Sequence, residues 1–241
     1  MGKTWIRTSD PIGQGQVDFL QKPLVSWNHE QPKQRLVKRE EEDASAYSHY
    51  TGGAIYIRWG RLSCPEPDSS LVYEGAAGGG YFGHAGAPAN IMCMPRVPTW
   101  GQHNDQFFGT KGHQSYMYGV EYKLQALDFP FGHEHAEALE NHNVPCAVCM
   151  SKVRGSQLMV PGRMDCVPGW HLEYSGFLMA GDYQTTGASE YICIDKDPEA
   201  DPAGYRGESS HNLVPVEAQC GSLPCPHYVS GREITCSVCT K

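Results

Sequence analysis

Val144-Pro145-Cys146-Ala147-Val148-Cys149 and Ile234-Thr235-Cys236-Ser237-Val238-Cys239 are two versions of one phrase, each closing on Cys-x-Val-Cys. Two further cysteines stand upstream of each version: Cys64 and Cys93 before the first, Cys166 and Cys193 before the second. The gaps agree, with 29 positions from Cys64 to Cys93 and 27 from Cys166 to Cys193. The surroundings agree as well. Residues 161–166 match 59–64, and Trp170 with residues 172–176 matches 71–75. Residues 190–195 match the stretch around Cys93, and Val216-Glu217-Ala218 resembles Val120-Glu121-Tyr122. Internal similarity of this kind implies two related units that pack on each other about a pseudo-dyad.

The local signals are those of strands and turns. Ala54-Ile55-Tyr56-Ile57-Arg58-Trp59 is β-branched and aromatic and reads as a strand. Residues 71–75 and 90–94 follow as second and third strands, separated by Gly75–Gly86, a stretch with six glycines that reads as a loop. The chain has 27 Gly and 17 Pro, and only residues 134–142, just after Pro130, read as helix. The expected fold is all-β: two tandem, pseudo-symmetric, disulfide-stapled repeats at 51–155 and 156–241. Residues 1–50 are polar, broken by Pro11, Pro23 and Pro32, and are expected to be an extension or assembly arm. Residues 16–20 and 23–27 within it could pair at a sheet edge.

Composition narrows the function. Lys and Arg number 19 against 27 Asp and Glu, a formal charge of −8, which disfavours a nucleic-acid partner. No run approaches 18 apolar residues, so no transmembrane segment is expected. Ten cysteines in 241 residues fit an oxidising compartment, and the protein reads as secreted or extracellular. Met1-Gly2-Lys3-Thr4-Trp5 lacks the apolar core of a signal peptide, and a leader is expected to have been removed.

The cysteines admit two readings. Cys146/Cys149 and Cys236/Cys239 could form a four-thiolate zinc site. The duplication favours disulfides. The simplest nested assignment is Cys64–Cys149 with Cys93–Cys146, Cys166–Cys239 with Cys193–Cys236, and Cys220–Cys225 as a close pair; spacing alone does not fix it.

These residues carry a family likeness. Residues 53–60 with Cys64-Pro65, residues 145–149 with 161–180, and residues 215–241 resemble the non-collagenous domain of the short-chain, spongin-like collagens of sponges and other invertebrates. The likeness covers residues 50–241. A more distant one is to the C-terminal non-collagenous domain of type IV collagen, whose halves open near Cys-Pro-x-Gly-Trp; Cys166-Val167-Pro168-Gly169-Trp170 comes near that opening. The resemblance implies the same nested disulfides and a third close pair in each half, which Cys220 and Cys225 supply in the second half only. It also implies an all-β subunit that exchanges strands between halves and chains, forming a trimer or hexamer. No Gly-X-Y tract is present, so this stretch forms no collagen triple helix itself.

The resulting expectation is a non-catalytic extracellular matrix protein, or oligomerisation head, that self-associates or binds another matrix protein. Gly78-Gly79-Gly80 is not followed by Lys-Ser or Lys-Thr and is no phosphate loop, and Gly-x-Ser-x-Gly is absent. The alternative is a secreted, lectin-like recognition protein in adhesion or innate defence. Tyr81, Phe82, Trp100 and Tyr116, with Phe107, Phe108 and Tyr118 nearby, offer faces for sugars, although aromatics in such loops also serve packing. His133, His135 and His142 are the candidate metal ligands, for Ca or Zn, because His-x-His is a strand half-site; His84 and His113 are further candidates. Exposed histidines on an acidic loop account for the run equally well. Arg58, Arg61, Arg154 and Arg163 are expected in salt bridges rather than in a polyanion groove.

Overall fold

The computed structural model describes residues 52–101, 114–124, 130–208 and 210–241. The arm at 1–50 and the stretches 102–113 and 125–129, with Phe107, Phe108 and His113, lie outside the described residues. The chain from residue 52 onward belongs to one compact unit. It contains β1 (Ile55–Trp59), β2 (Ser69–Gly79), β3 (Met92–Pro95), β4 (Tyr118–Tyr122), helix α1 (His133–Leu139), β5 (Pro145–Ser151), β6 (Gln157–Pro161), β7 (His171–Ala180), β8 (Ile192–Asp195), β9 (His211–Pro215) and β10 (Thr235–Thr240). The strands join in the order β6-β10-β7-β8-β1-β5-β2-β4-β9, with β3 on β2 and a further β7–β9 pairing. The fold is all-β and disulfide-rich, and its sheet is mixed: β1–β8 and β4–β9 are parallel, the other pairings antiparallel.

The two Cys-x-Val-Cys phrases are the interior strands β5 and β10. Each is flanked by two strands, carries two disulfides and is buried on both faces, where its side chains enter the core clusters. The bonds are Cys64–Cys149, Cys93–Cys146, Cys166–Cys239, Cys193–Cys236 and Cys220–Cys225. No described cysteine is free, so the four-thiolate zinc reading does not apply.

Backbone hydrogen bonds repeat along the chain. Gly60 N–H donates to Pro145 O and Gly162 N–H to Thr235 O, while Ala77 N–H donates to Val144 O and Leu178 N–H to Ile234 O. Val144 N–H donates to Val120 O, and Ile234 N–H to Val216 O. Both long strands bulge at one residue. Leu71 and Tyr73 pair Cys149 and Val148, skipping Val72; Leu172 and Tyr174 pair Cys239 and Val238, skipping Glu173.

Three expectations need correction. The glycine-rich stretch is not all loop, since β2 continues to Gly79. Its glycines serve close approach: a Cβ on Gly75 would lie 1.7 Å from Met94 O, and one on Gly176 1.7 Å from Ile194 O. The helix is shorter than expected. It stops at Leu139, and Asn141 takes φ 62° to turn the chain back, donating its N–H to Tyr122 O. Strands β6 and β9 were not anticipated: the first ends in proline, and the second opens on a buried histidine, a poor strand signal.

The core has two clusters. Trp59, Val120, Tyr122, Leu139, Val144, Met179, Ile194 and Leu213 make one; Tyr56, Cys149, Tyr174, Leu178, Cys236 and Val238 belong to the other. Each draws on both repeat segments, so neither segment closes its own core.

Candidate functional site

The most elaborate arrangement in the molecule is the junction between the two segments. Strand β1 pairs all five of its residues with β5, and at its end Trp59 bridges in parallel to Ile194 of β8. Polar side chains lock this contact. Arg58 Nε lies 2.7 Å from Asp195 Oδ2, and Arg61 Nε lies 3.0 Å from Glu199 Oε1. Arg96 grips the buried Asp201 with both carboxylate oxygens within 3.0 Å. Arg163 pairs with Asp165 at 2.6 Å on the surface.

Beneath β1 lies a buried carboxylate. Glu173 Oε2 is 2.7 Å from Tyr56 Oη and 2.9 Å from Ser69 Oγ; Oε1 is 2.6 Å from Thr240 Oγ1 and 3.0 Å from Arg154 Nη2. Burial alone would raise the Glu173 pKa, but the bonds from Thr240, Tyr56, Arg154 and Ser69 outweigh it and hold the carboxyl below its ordinary value. Burial also raises the phenols of Tyr56 and Tyr174, so both remain hydrogen-bond donors. Tyr174 Oη reaches Ile57 O at 2.9 Å and Cys193 O at 3.0 Å, joining β1 to β8 without a ladder bond.

The matched bulges and hydrogen bonds give each position at this junction a counterpart elsewhere in the chain. Those counterparts are open. Tyr56 is 3% exposed, whereas Leu158 on β6 is 41% exposed. Glu173 and Tyr174 are 6% and 5% exposed, whereas Val72 and Tyr73 are 52% and 38%. Ile192 is buried and Met92 exposed; Leu213 is buried and Met117 exposed. Strand β6 ends the sheet order, and β3 pairs only with β2 among the described residues. Leu71, Val72 and Tyr73 on β2 and Met92 on β3 are thus each exposed, as is Val97 after β3. An apolar patch of neighbouring strand residues is a feature of interaction surfaces.

The aromatic candidates are partly assembled. Tyr81 lies with its ring centroid 4.5 Å from Phe82, 4.8 Å from His84 and 5.2 Å from Tyr118; Tyr116 is 6.2 Å from Tyr118 and 6.4 Å from His84. His84 and Tyr118 complete a surface cluster that sequence order could only hint at. Trp100 has no ring contact in this cluster and is 80% exposed.

Of the histidine candidates, the side chains of His135 and His142 are described. The segment containing His133 and His135 is helical, not extended. His135 Nε2 lies 2.8 Å from Pro198 O, and His142 Nδ1 lies 3.0 Å from Glu140 O. No group of three His, Cys, Asp or Glu side chains is gathered for a metal among the described residues. No helix among them is long and apolar enough to cross a membrane.

Comparison with known proteins places no constraint on this arrangement: no family model matches the chain, and no curated protein matches it.

Proposed function

We propose that the protein is an extracellular structural component that assembles head to tail through its β-sheets, with no catalytic role. It is built from two pseudo-symmetric repeats of the kind found in the non-collagenous domains it resembles. The observation carrying this reading is the junction inside the chain. Strand β1 sits against β8, while among the described residues its counterpart β6 ends the sheet order and β3, the counterpart of β8, pairs only with β2, and each carries an exposed apolar side chain. Setting β6 of one copy against β3 of the next repeats the internal junction, with Pro161 opposite Met94 as Trp59 is opposite Ile194. Such a contact is heterologous, so it closes into a ring when the rotation permits. The family likeness favours a ring of three, with hexamers as pairs of rings. Five disulfides suit an oxidising, extracellular setting.

The test is the mass of the non-reduced protein by light scattering, with and without chelator. A trimer or hexamer insensitive to chelator is expected. Leu158→Lys on β6 or Val72→Lys on β2 should shift it to monomer without unfolding, because each places a charge on the open surface. A monomeric wild type across micromolar concentrations sinks the reading.

A second reading, glycan recognition, is favoured by the gathering of Tyr81, Phe82 and Tyr116 with His84 and Tyr118 on the surface. It predicts saturable sugar binding at micromolar levels that Tyr81→Ala abolishes and Trp100→Ala leaves intact. Binding unaffected by Tyr81→Ala would dismiss this cluster as the site.

A further inference from the structure

His211 is buried, 3% exposed, and it stands where several elements meet. It opens β9, pairs in parallel with Val120 of β4, and its ring packs on Gly79 at the end of β2, where an added Cβ would lie 3.1 Å from Nδ1. Its Nδ1 is 2.5 Å from Gly80 O and its Nε2 is 3.2 Å from Ser189 Oγ. A carbonyl only accepts, so Nδ1 carries the proton and neutral Nε2 accepts from the Ser189 hydroxyl. The imidazole thus joins the end of β2 in the first segment to the loop at 181–190 in the second. The two loops beside it are tied by two more bonds, Gly187 N–H to Phe82 O and Glu190 N–H to Ala89 O, and Phe82 N–H donates to Ser210 O next to the histidine.

We propose that His211 is an acid-release clip: neutral, it fastens Gly80, from which the loop at 81–89 runs on, to Ser189 in the loop at 181–190, and its protonation loosens that contact. A proton on Nε2 turns the acceptor into a donor facing Ser189. The hydroxyl must then rotate, giving its own hydrogen to Glu190 O, 3.2 Å away. The new charge is left in a dry site. No described carboxylate bonds to the ring: Gly79 and Gly80 have none, and Glu121 follows Val120 on the other face of β4, accepting from Glu208 N–H. In the facing loop Asp182 accepts from Gln184 N–H, and Glu190 from Ile91 N–H. Burial accordingly lowers the His211 pKa, with the bond to Gly80 opposing. A lowered folded-state value means that the contribution is complete above the ordinary value of 6.5 and declines as pH falls through 6.5 towards the folded value. The clip lies within one chain and does not depend on the assembly proposed above.

Backbone amide exchange, corrected for its intrinsic pH dependence, tests this at about pH 7.5 and about pH 5. In the wild type, exchange at 81–89 and 181–190 should rise several-fold on acidification while β5 and β10 are unchanged. His211→Gln, whose amide can donate to Gly80 O but takes up no proton, should lose that dependence. An unchanged wild type, or an equal rise in the Gln variant, overturns the proposal. Should the variant not fold, nuclear magnetic resonance of the wild type decides: the His211 ring and the amides of 81–89 must share one titration midpoint, and separate midpoints overturn it.

Discussion

Glu173 illustrates how much one side chain can do at a bulge. The bulge turns it under β1, where Tyr56, Ser69, Thr240 and Arg154 satisfy both oxygens, while its counterpart Val72 is left in the open. Replacing Glu173 by Gln leaves Arg154 largely buried without its anion and puts an amide N–H₂ against donors. Breaking a buried pair in this way should cost about 3 kcal/mol, read as a lower urea midpoint at unchanged slope. The acid side carries a second signature. The Glu173 pKa is lowered in the fold, so its contribution is present above the ordinary value of 4.5 and is lost as pH falls through the folded value. The Gln variant should lack that portion of the acid transition. Nothing in Leu172-Glu173-Tyr174 marks this carboxylate as buried, because alternation in a strand places such a residue in solvent.

At the scale of the element, the disulfides differ in what they restrain. Cys64–Cys149 closes a separation of 85 residues and Cys220–Cys225 one of 5. By loop-closure entropy these correspond to about 4.5 and about 2 kcal/mol. Removing the short pair by double Cys→Ser substitution should therefore lower the melting temperature modestly, while removing the long pair should abolish most folded, secreted material. Equal losses would show that the short bond holds more than its own loop. Several elements were legible beforehand. Ile55–Trp59 declares itself by β-branched and aromatic residues, whereas the two Cys-x-Val-Cys phrases announced themselves as a matched pair and only the structure shows them to be strands. Gly75–Gly79 was misread, because a glycine run signals a loop locally and close strand contact only once Met94 is known to lie across it. The aromatic cluster was half visible: Tyr81 and Phe82 adjoin in sequence, but Tyr118 reaches them only because Gly79 pairs with Tyr118 across β2 and β4.

Across the whole molecule, the internal junction and the open surface differ in chemistry. Arg58–Asp195, Arg61–Glu199 and Arg96–Asp201 dominate the first; Leu71, Val72, Tyr73, Met92 and Leu158 dominate the second. The assembly proposed through the second should accordingly persist as salt is raised, since apolar burial is not screened as surface ion pairs are. The sequence by itself determined the recurrence of the Cys-x-Val-Cys phrase, the abundance of strands and the cysteine sets, because these follow from local composition and from spacing along one chain. Only the tertiary structure decided which copy of each position is covered. Two nearly equivalent sets of strands become different surfaces because β1 finds β8 within its own chain, whereas β6 and β3 find no such partner among the described residues.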